Sequence, residues 1–150
     1  MITLEINPRY EQDIDLAVLA KTTALVLETL APALAEATVV IEDDDFIQTL
    51  NRDYREIDAP TDVLSFSADF TDPENEAPYL GDVIISYPQA NRQAEHGGHP
   101  VEAEIQLLLV HGLLHLLGFD HADEQGKAEM WAIQQQFLDQ LGIGEIQINS

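Results

Sequence analysis

The stretch whose reading decides the fold is Leu107-Leu108-Leu109-Val110-His111-Gly112-Leu113-Leu114-His115-Leu116-Leu117-Gly118-Phe119-Asp120-His121. The run from Val101 to Leu117 is predicted as a helix. From Leu107 onward it is apolar nearly all round, the pattern of a helix buried in a core and not laid on a surface. Gly118 ends it, as a residue that takes positive φ without cost. His111 and His115 are four apart, so they project from one face about one turn apart. His121 lies just past the turn and can fold back to join them. Three imidazoles with one open position are the ligand set of a catalytic zinc ion, whose bound water becomes nucleophilic near neutral pH. The plainer alternative makes the histidines polar core residues. Each would then need its own buried partner inside an apolar helix, so spacing and ligand number favour a metal.

The spacing H-x3-H-x5-H, with glycine three residues after the second histidine, matches the metallopeptidase pattern H-E-x-x-H-x-x-G-x-x-H except at one position. Gly112 stands where such a peptidase carries its glutamate base. Glycine accepts no proton and costs up to about 1 kcal/mol in a helix interior. The metal cage is therefore expected without the peptidase base.

Working outward, Ile2, Leu4 and Ile6 alternate with polar residues and predict a half-buried strand that Pro8 ends. Gln12–Leu30 reads as an amphipathic helix, Thr38–Ile41 as a strand, and Asp43–Asp45 as the start of a helix running to about Tyr54. Val63–Phe66 and Val83–Ser86 read as strands joined through a polar turn containing Pro73 and Pro78. Pro88 suits the first turn of a short helix, Gln89–Glu95, closed by Gly97 and Gly98. His96 and His99 flank those glycines as loop or cap residues. A last helix spans about Glu124–Leu141, and Trp131 on it reads as core. The order βαβαββααα implies an α+β domain over residues 1–150, with one mixed sheet of about four strands covered by helices.

The chain has 150 residues, 28 acidic and 6 basic, and a formal charge of −22. A single domain of this length needs no disulfide or metal merely to have a core. The absence of cysteine excludes a disulfide scaffold, a thiolate zinc ribbon and a cysteine nucleophile. No secretory leader and no membrane span are visible, so a cytoplasmic protein is expected. The acidity argues against a nucleic-acid coat or an anionic-membrane binder. It leaves room for a small local phosphate site.

Four segments, taken in order, resemble the signature of the YbeY family of bacterial endoribonucleases. Leu50-Asn51-Arg52-Asp53-Tyr54-Arg55 is similar to its L-N-x-x-Y-R, and Asp58-Ala59-Pro60-Thr61-Asp62-Val63-Leu64-Ser65-Phe66 to its D-x-P-T-D-V-L-S-F. Leu80-Gly81-Asp82-Val83-Ile84-Ile85-Ser86 and the histidine segment complete the set. Ser67, where proline is common, and Glu56, where small or basic residues are frequent, depart from the pattern. The resemblance implies a zincin-like arrangement around the metal helix and a metal-dependent, single-strand-specific endoribonuclease. That enzyme would act in ribosomal RNA maturation at the small-subunit 3′ end and in ribosome quality control. It implies one zinc-type ion per chain held by His111, His115 and His121, with Arg55 and His111 tied most closely to activity. The expected partners are a ribosomal RNA precursor and the ribosome or its proteins, with no DNA and no membrane.

Residue chemistry agrees for Arg55, because a guanidinium can hold two phosphate oxygens at once as charge builds on phosphorus. Thr61 and Asp62 are expected to fix a turn, and Ser65 to face either site or core. Asp82 would orient a ligand histidine or cap a turn, and Asp120 would form a turn. Arg52 reads as a surface ion-pair partner. With Arg92 and Arg55 it would also make one basic face around the ion, provided the fold brings the three together. Contact with RNA is then expected to be weak, local and salt-sensitive. Two other functions stay open at this point: a metallohydrolase with a peptidase-like site, and a non-enzymatic ribosome-assembly factor with a structural metal.

Overall fold

The computed structural model describes residues 2–71 and 77–146. Strand β1 (Ile2–Ile6) is followed by a 3-10 turn over Pro8–Asp13 and helix α1 (Leu16–Leu30). Strand β2 (Glu36–Glu42) and helix α2 (Asp44–Arg55) come next, then β3 (Val63–Thr71) and β4 (Pro78–Ser86). Three helices close the chain: α3 (Tyr87–Gly97), α4 (Val101–Leu116) and α5 (Glu124–Gln140). This is an α+β fold in the expected order. The first helix starts later than its apolar pattern implies. The Asp15 carboxylate accepts from the Ala17 N–H at 3.0 Å and caps α1 there, while the preceding residues wind as a 3-10 turn opened by Pro8. The polar turn expected between β3 and β4 falls largely outside the described residues, and Pro78 opens β4 instead. Among the described residues no helix is long and apolar enough to cross a membrane.

The sheet order is β1-β2-β4-β3. β1 and β4 run parallel to β2, and β3 returns antiparallel to β4 as an edge. Alternation sorts the two faces. Val39, Ile41, Val83 and Ile85 join the main core with α1, α4 and α5. Val40 and Ile84 point the other way, into a smaller cluster with Ile47 of α2, Leu64 and Phe66. At Gly81 (φ 137°) an added Cβ would stand 2.1 Å from the Phe66 carbonyl oxygen, so glycine is required where β4 crosses β3.

Helix α4 is the axis of the main core, buried along almost its whole length. It lies tight against the sheet at Gly112, where a Cβ would lie 2.6 Å from Val83 Cγ1 and 3.2 Å from Ser65 Oγ. The Ser65 hydroxyl donates to the Gly112 carbonyl at 3.0 Å across the same contact. A polar tie, Gln106 Nε2 to Thr22 Oγ1 at 3.1 Å, joins the other side of α4 to α1. Glycine at 112 therefore has a packing cause besides the missing base: any larger side chain pushes α4 off β4.

Gly112→Ala tests this. Alanine gains up to about 1 kcal/mol in helix propensity, whereas overpacking a tight core costs about 1–3 kcal/mol. We expect a net loss of stability in urea unfolding and recovery in the Gly112→Ala, Val83→Ala double variant. A more stable single variant would show that α4 can back away from the sheet.

Candidate metal centre

Helix α4 carries His111 and His115 toward the edge strand β3. Past it, Leu117 closes the helix and Gly118 takes φ 97°, which turns the chain so that His121 faces the pair. One ring nitrogen from each of the three histidines lies within 4.8 Å of the others. Nε2 of His111 and Nε2 of His115 are 3.2 Å apart. Two nitrogens, each about 2.0–2.1 Å from a tetrahedral ion, stand roughly 3.3–3.4 Å apart, so this spacing suits one zinc-sized ion.

The third packing partner is α5. Gln134, only 1% exposed, places Oε1 at 2.9 Å from His111 Nδ1. A carbonyl oxygen only accepts, so Nδ1 carries the proton and Nε2 keeps its lone pair for a metal. Trp131 sets its ring edgewise to His111 and His121, at 5.7 and 5.4 Å between centroids. Sequence reading placed Trp131 in the core and passed over Gln134. The signal for Gln134 was an amide inside the apolar stripe Met130, Phe137 and Leu138 of α5.

Burial is the main cause holding the His111 imidazole below its ordinary pKa of 6.5; His121 adds to it, while Gln134 and Asp62 work against it. Burial likewise lowers His115, with His111 and His121 adding to the effect. Both rings therefore favour the neutral form a metal needs.

The histidines form one wall of a cleft of about 690 Å³. The cleft is also lined by Arg55, Thr61, Asp62, Ser65, Ser67 and Asp120, together with Asn51 and Ile57. Arg55, the last residue of α2, crosses the sheet edge, donates to the Ser65 carbonyl at 2.8 Å and lies over the Phe66 ring at 5.6 Å. Asn51 Nδ2 bonds the Ala59 carbonyl at 2.9 Å and shapes the loop after α2. Asp62 Oδ1 accepts from the Val63 N–H at 2.8 Å, and its Oδ2 from the Gln93 amide at 3.2 Å, so it pins the start of β3 to α3. Thr61 donates weakly to Asp62 at 3.4 Å. Asp120 accepts from the Ala122 N–H at 3.0 Å within the turn that carries His121.

Other candidates are not brought to the cleft. Asp82 accepts a short hydrogen bond from the Tyr79 hydroxyl; burial and this carboxylate push the Tyr79 phenol up to about 12. Arg52 pairs with Asp53 at 3.2 Å, and Arg92 of α3 pairs with Asp44 at 2.7 Å, each away from the cleft wall. Of the three arginines expected on one face, Arg55 alone lines the cleft that the histidines line. His99 bonds Glu104 at 2.6 Å beside the turn between α3 and α4, apart from the triad.

A sheet with an antiparallel edge, a buried helix carrying two histidines and a third after a glycine turn define an α+β fold with a three-histidine group that could hold a metal ion. The Endoribonuclease YbeY family model matches residues 5–142. Relatives named Endoribonuclease YbeY include one from Brevibacillus brevis, 39% identical over 93% of each chain. Another, from Roseiflexus castenholzii, is 38% identical over 95% of this chain and 94% of its own. A solution structure from Thermotoga maritima shares the fold, with a TM-score of 0.65 over 98% of this chain and 97% of that one at 22% identity. The chain belongs to the YbeY family of endoribonucleases, hydrolases of RNA phosphodiester bonds.

Two outcomes follow for the centre. In the pH window below 6.5 the unfolded chain protonates its histidines while the folded chain resists. Stability is thus present above that window and lost as pH falls through it. Metal release has the same sign. A lower melting temperature and metal content at pH 5 than at pH 7.5 are expected, with the chain's one tryptophan, Trp131, as an optical reporter; unchanged metal content at pH 5 would count against the site. Separately, Gln134→Leu frees the His111 ring, and metal affinity should fall about 10–100-fold in a chelator competition.

Proposed function

We propose that the chain is a metal-dependent endoribonuclease that cuts single-stranded ribosomal RNA precursors at the small-subunit 3′ end, using one zinc ion per chain. Its setting is the cytoplasm, its partners the ribosome or ribosomal proteins, and it acts on RNA and not on DNA. It also serves in ribosome quality control. The observation that carries the reading is Arg55 at the wall of the cleft that holds the three histidines.

His111, His115 and His121 would hold the ion, which supplies Lewis acidity and positive charge beside the scissile phosphate. Arg55 uses one N–H on Ser65 and keeps other donors for phosphate oxygens as charge develops. Its position on the cleft side of an edge strand is held by that bond and by Phe66, so little reorganisation is needed. His111 has its Nδ1–H committed to Gln134, and with Nε2 on a metal no ring nitrogen is left to exchange a proton with the substrate. Its part in activity is then to hold the ion. The Ser65 hydroxyl is spent on Gly112 and the Asp62 carboxylate on β3 and α3; both support the shape of the cleft.

The peptidase alternative loses ground on two contacts. The position of the peptidase base is packed backbone at Gly112. The edge carbonyl of Ser65, which an extended peptide would use for strand pairing, already accepts from Arg55.

Cleavage of a short unstructured RNA by the metal-loaded protein tests the proposal. Arg55→Ala should retain metal and lose about 10²–10³ in kcat, the scale for removing one charge-stabilising donor. Equal cleavage by both proteins would remove Arg55 from the mechanism.

A further inference from the structure

Beside Arg55, at the end of α2, Tyr54 leaves 69% of its surface in solvent. Its ring meets Phe66 edge to face, with centroids 5.5 Å apart and planes at 69°. Phe66 is anchored in the cluster of Ile47, Leu64 and Ile84, and carries the Arg55 guanidinium over its own ring. Tyr54 and Arg55 thus rest on one half-buried support. An edge-to-face contact occupies at most one face of the tyrosine ring, and its exposure leaves the other open. Ile57, 54% exposed, adds an apolar side chain to the cleft lining close in sequence to Tyr54.

We infer that Tyr54 is the stacking platform for an unpaired base next to the phosphate held at Arg55, and that it gives the cleft its preference for single-stranded RNA. The inference rests on the endoribonuclease reading above. The two residues are adjacent in the last turn of α2, so a phosphate on one brings a neighbouring base to the other. Charge cannot supply the affinity here: the chain carries −22, and Arg52 and Arg92 are taken by carboxylates. Stacking does not depend on net charge. An aromatic platform strengthens single-strand binding by about 5- to 150-fold per base. Bases in a double helix are already stacked and paired, so they are not free to splay onto a side chain.

KM and kcat of the metal-loaded protein separate this role from a structural one. On a short unstructured RNA, Tyr54→Leu should raise KM by about 5- to 150-fold, with a smaller change in kcat, while Tyr54→Phe stays within about threefold of the parent because the ring is kept. The same RNA annealed to its complement should show no such penalty, so the preference for single strands shrinks. A scan of the parent protein with abasic nucleotides needs no folded variant. One position near the cut should reproduce the rise in KM, and there Tyr54→Leu should add nothing. A flat abasic scan overturns the inference, as does a Tyr54→Leu variant with parental KM or with a loss confined to kcat, the signature of a displaced Arg55. A parent protein that leaves the RNA uncut overturns the endoribonuclease reading itself, and this inference with it.

Discussion

Helix α4 lies on the sheet with no side chain between its backbone at Gly112 and Val83 of β4. The site depends on that close approach. It sets the depth of the helix in the core, and so the height at which His111 and His115 stand above the edge strand. The Ser65 hydroxyl reaches the Gly112 carbonyl only because the two backbones are this near. Arg55 in turn is positioned by the carbonyl of that same Ser65. The histidine cluster and Arg55, from elements far apart in the chain, are thus referred to one contact. The glycine that removes a peptidase's base is the glycine that permits it.

The acidic surface changes meaning once partners are assigned. Asp53 and Asp44 occupy Arg52 and Arg92, and these exposed pairs contribute little to stability. Their effect is on function: they take two cations away from any nucleic acid. Among the described residues that line the cleft, Arg55 is the one arginine or lysine. An enzyme built this way must draw affinity from something besides phosphates, or have its substrate delivered. The exposed ring of Tyr54, on the same support as Arg55, supplies a contact that self-repulsion between the protein and RNA does not weaken.

Much of the fold was legible because it is written in local periodicity. The alternation of Ile2, Leu4 and Ile6, the Asp43–Asp45 helix start and the all-round apolar run of α4 each need only neighbours in sequence. Of the misses, one is local and one comes from strand pairing. Asp15 caps α1 later than its apolar pattern implies. β3 and β4 run longer than their apolar segments, because ladder pairing continues through polar and small residues such as Ser67 and Gly81.

By itself, then, the sequence determined the order of elements and the grouping of three histidines. His111 and His115 share a face by helical geometry, and Gly118 makes the turn that lets His121 return. Tertiary structure alone decided which long side chains reach that triad. Periodicity assigns a residue to a face; it does not say what stands opposite. Arg52, Arg55 and Arg92 were candidates for one basic face, yet only Arg55 meets a backbone carbonyl at a sheet edge while the others meet carboxylates. Gln134 becomes a partner of His111 only because α5 packs across α4, a meeting of residues 23 apart. Long flexible side chains go where the nearest complementary group is, and that group is set by packing between elements.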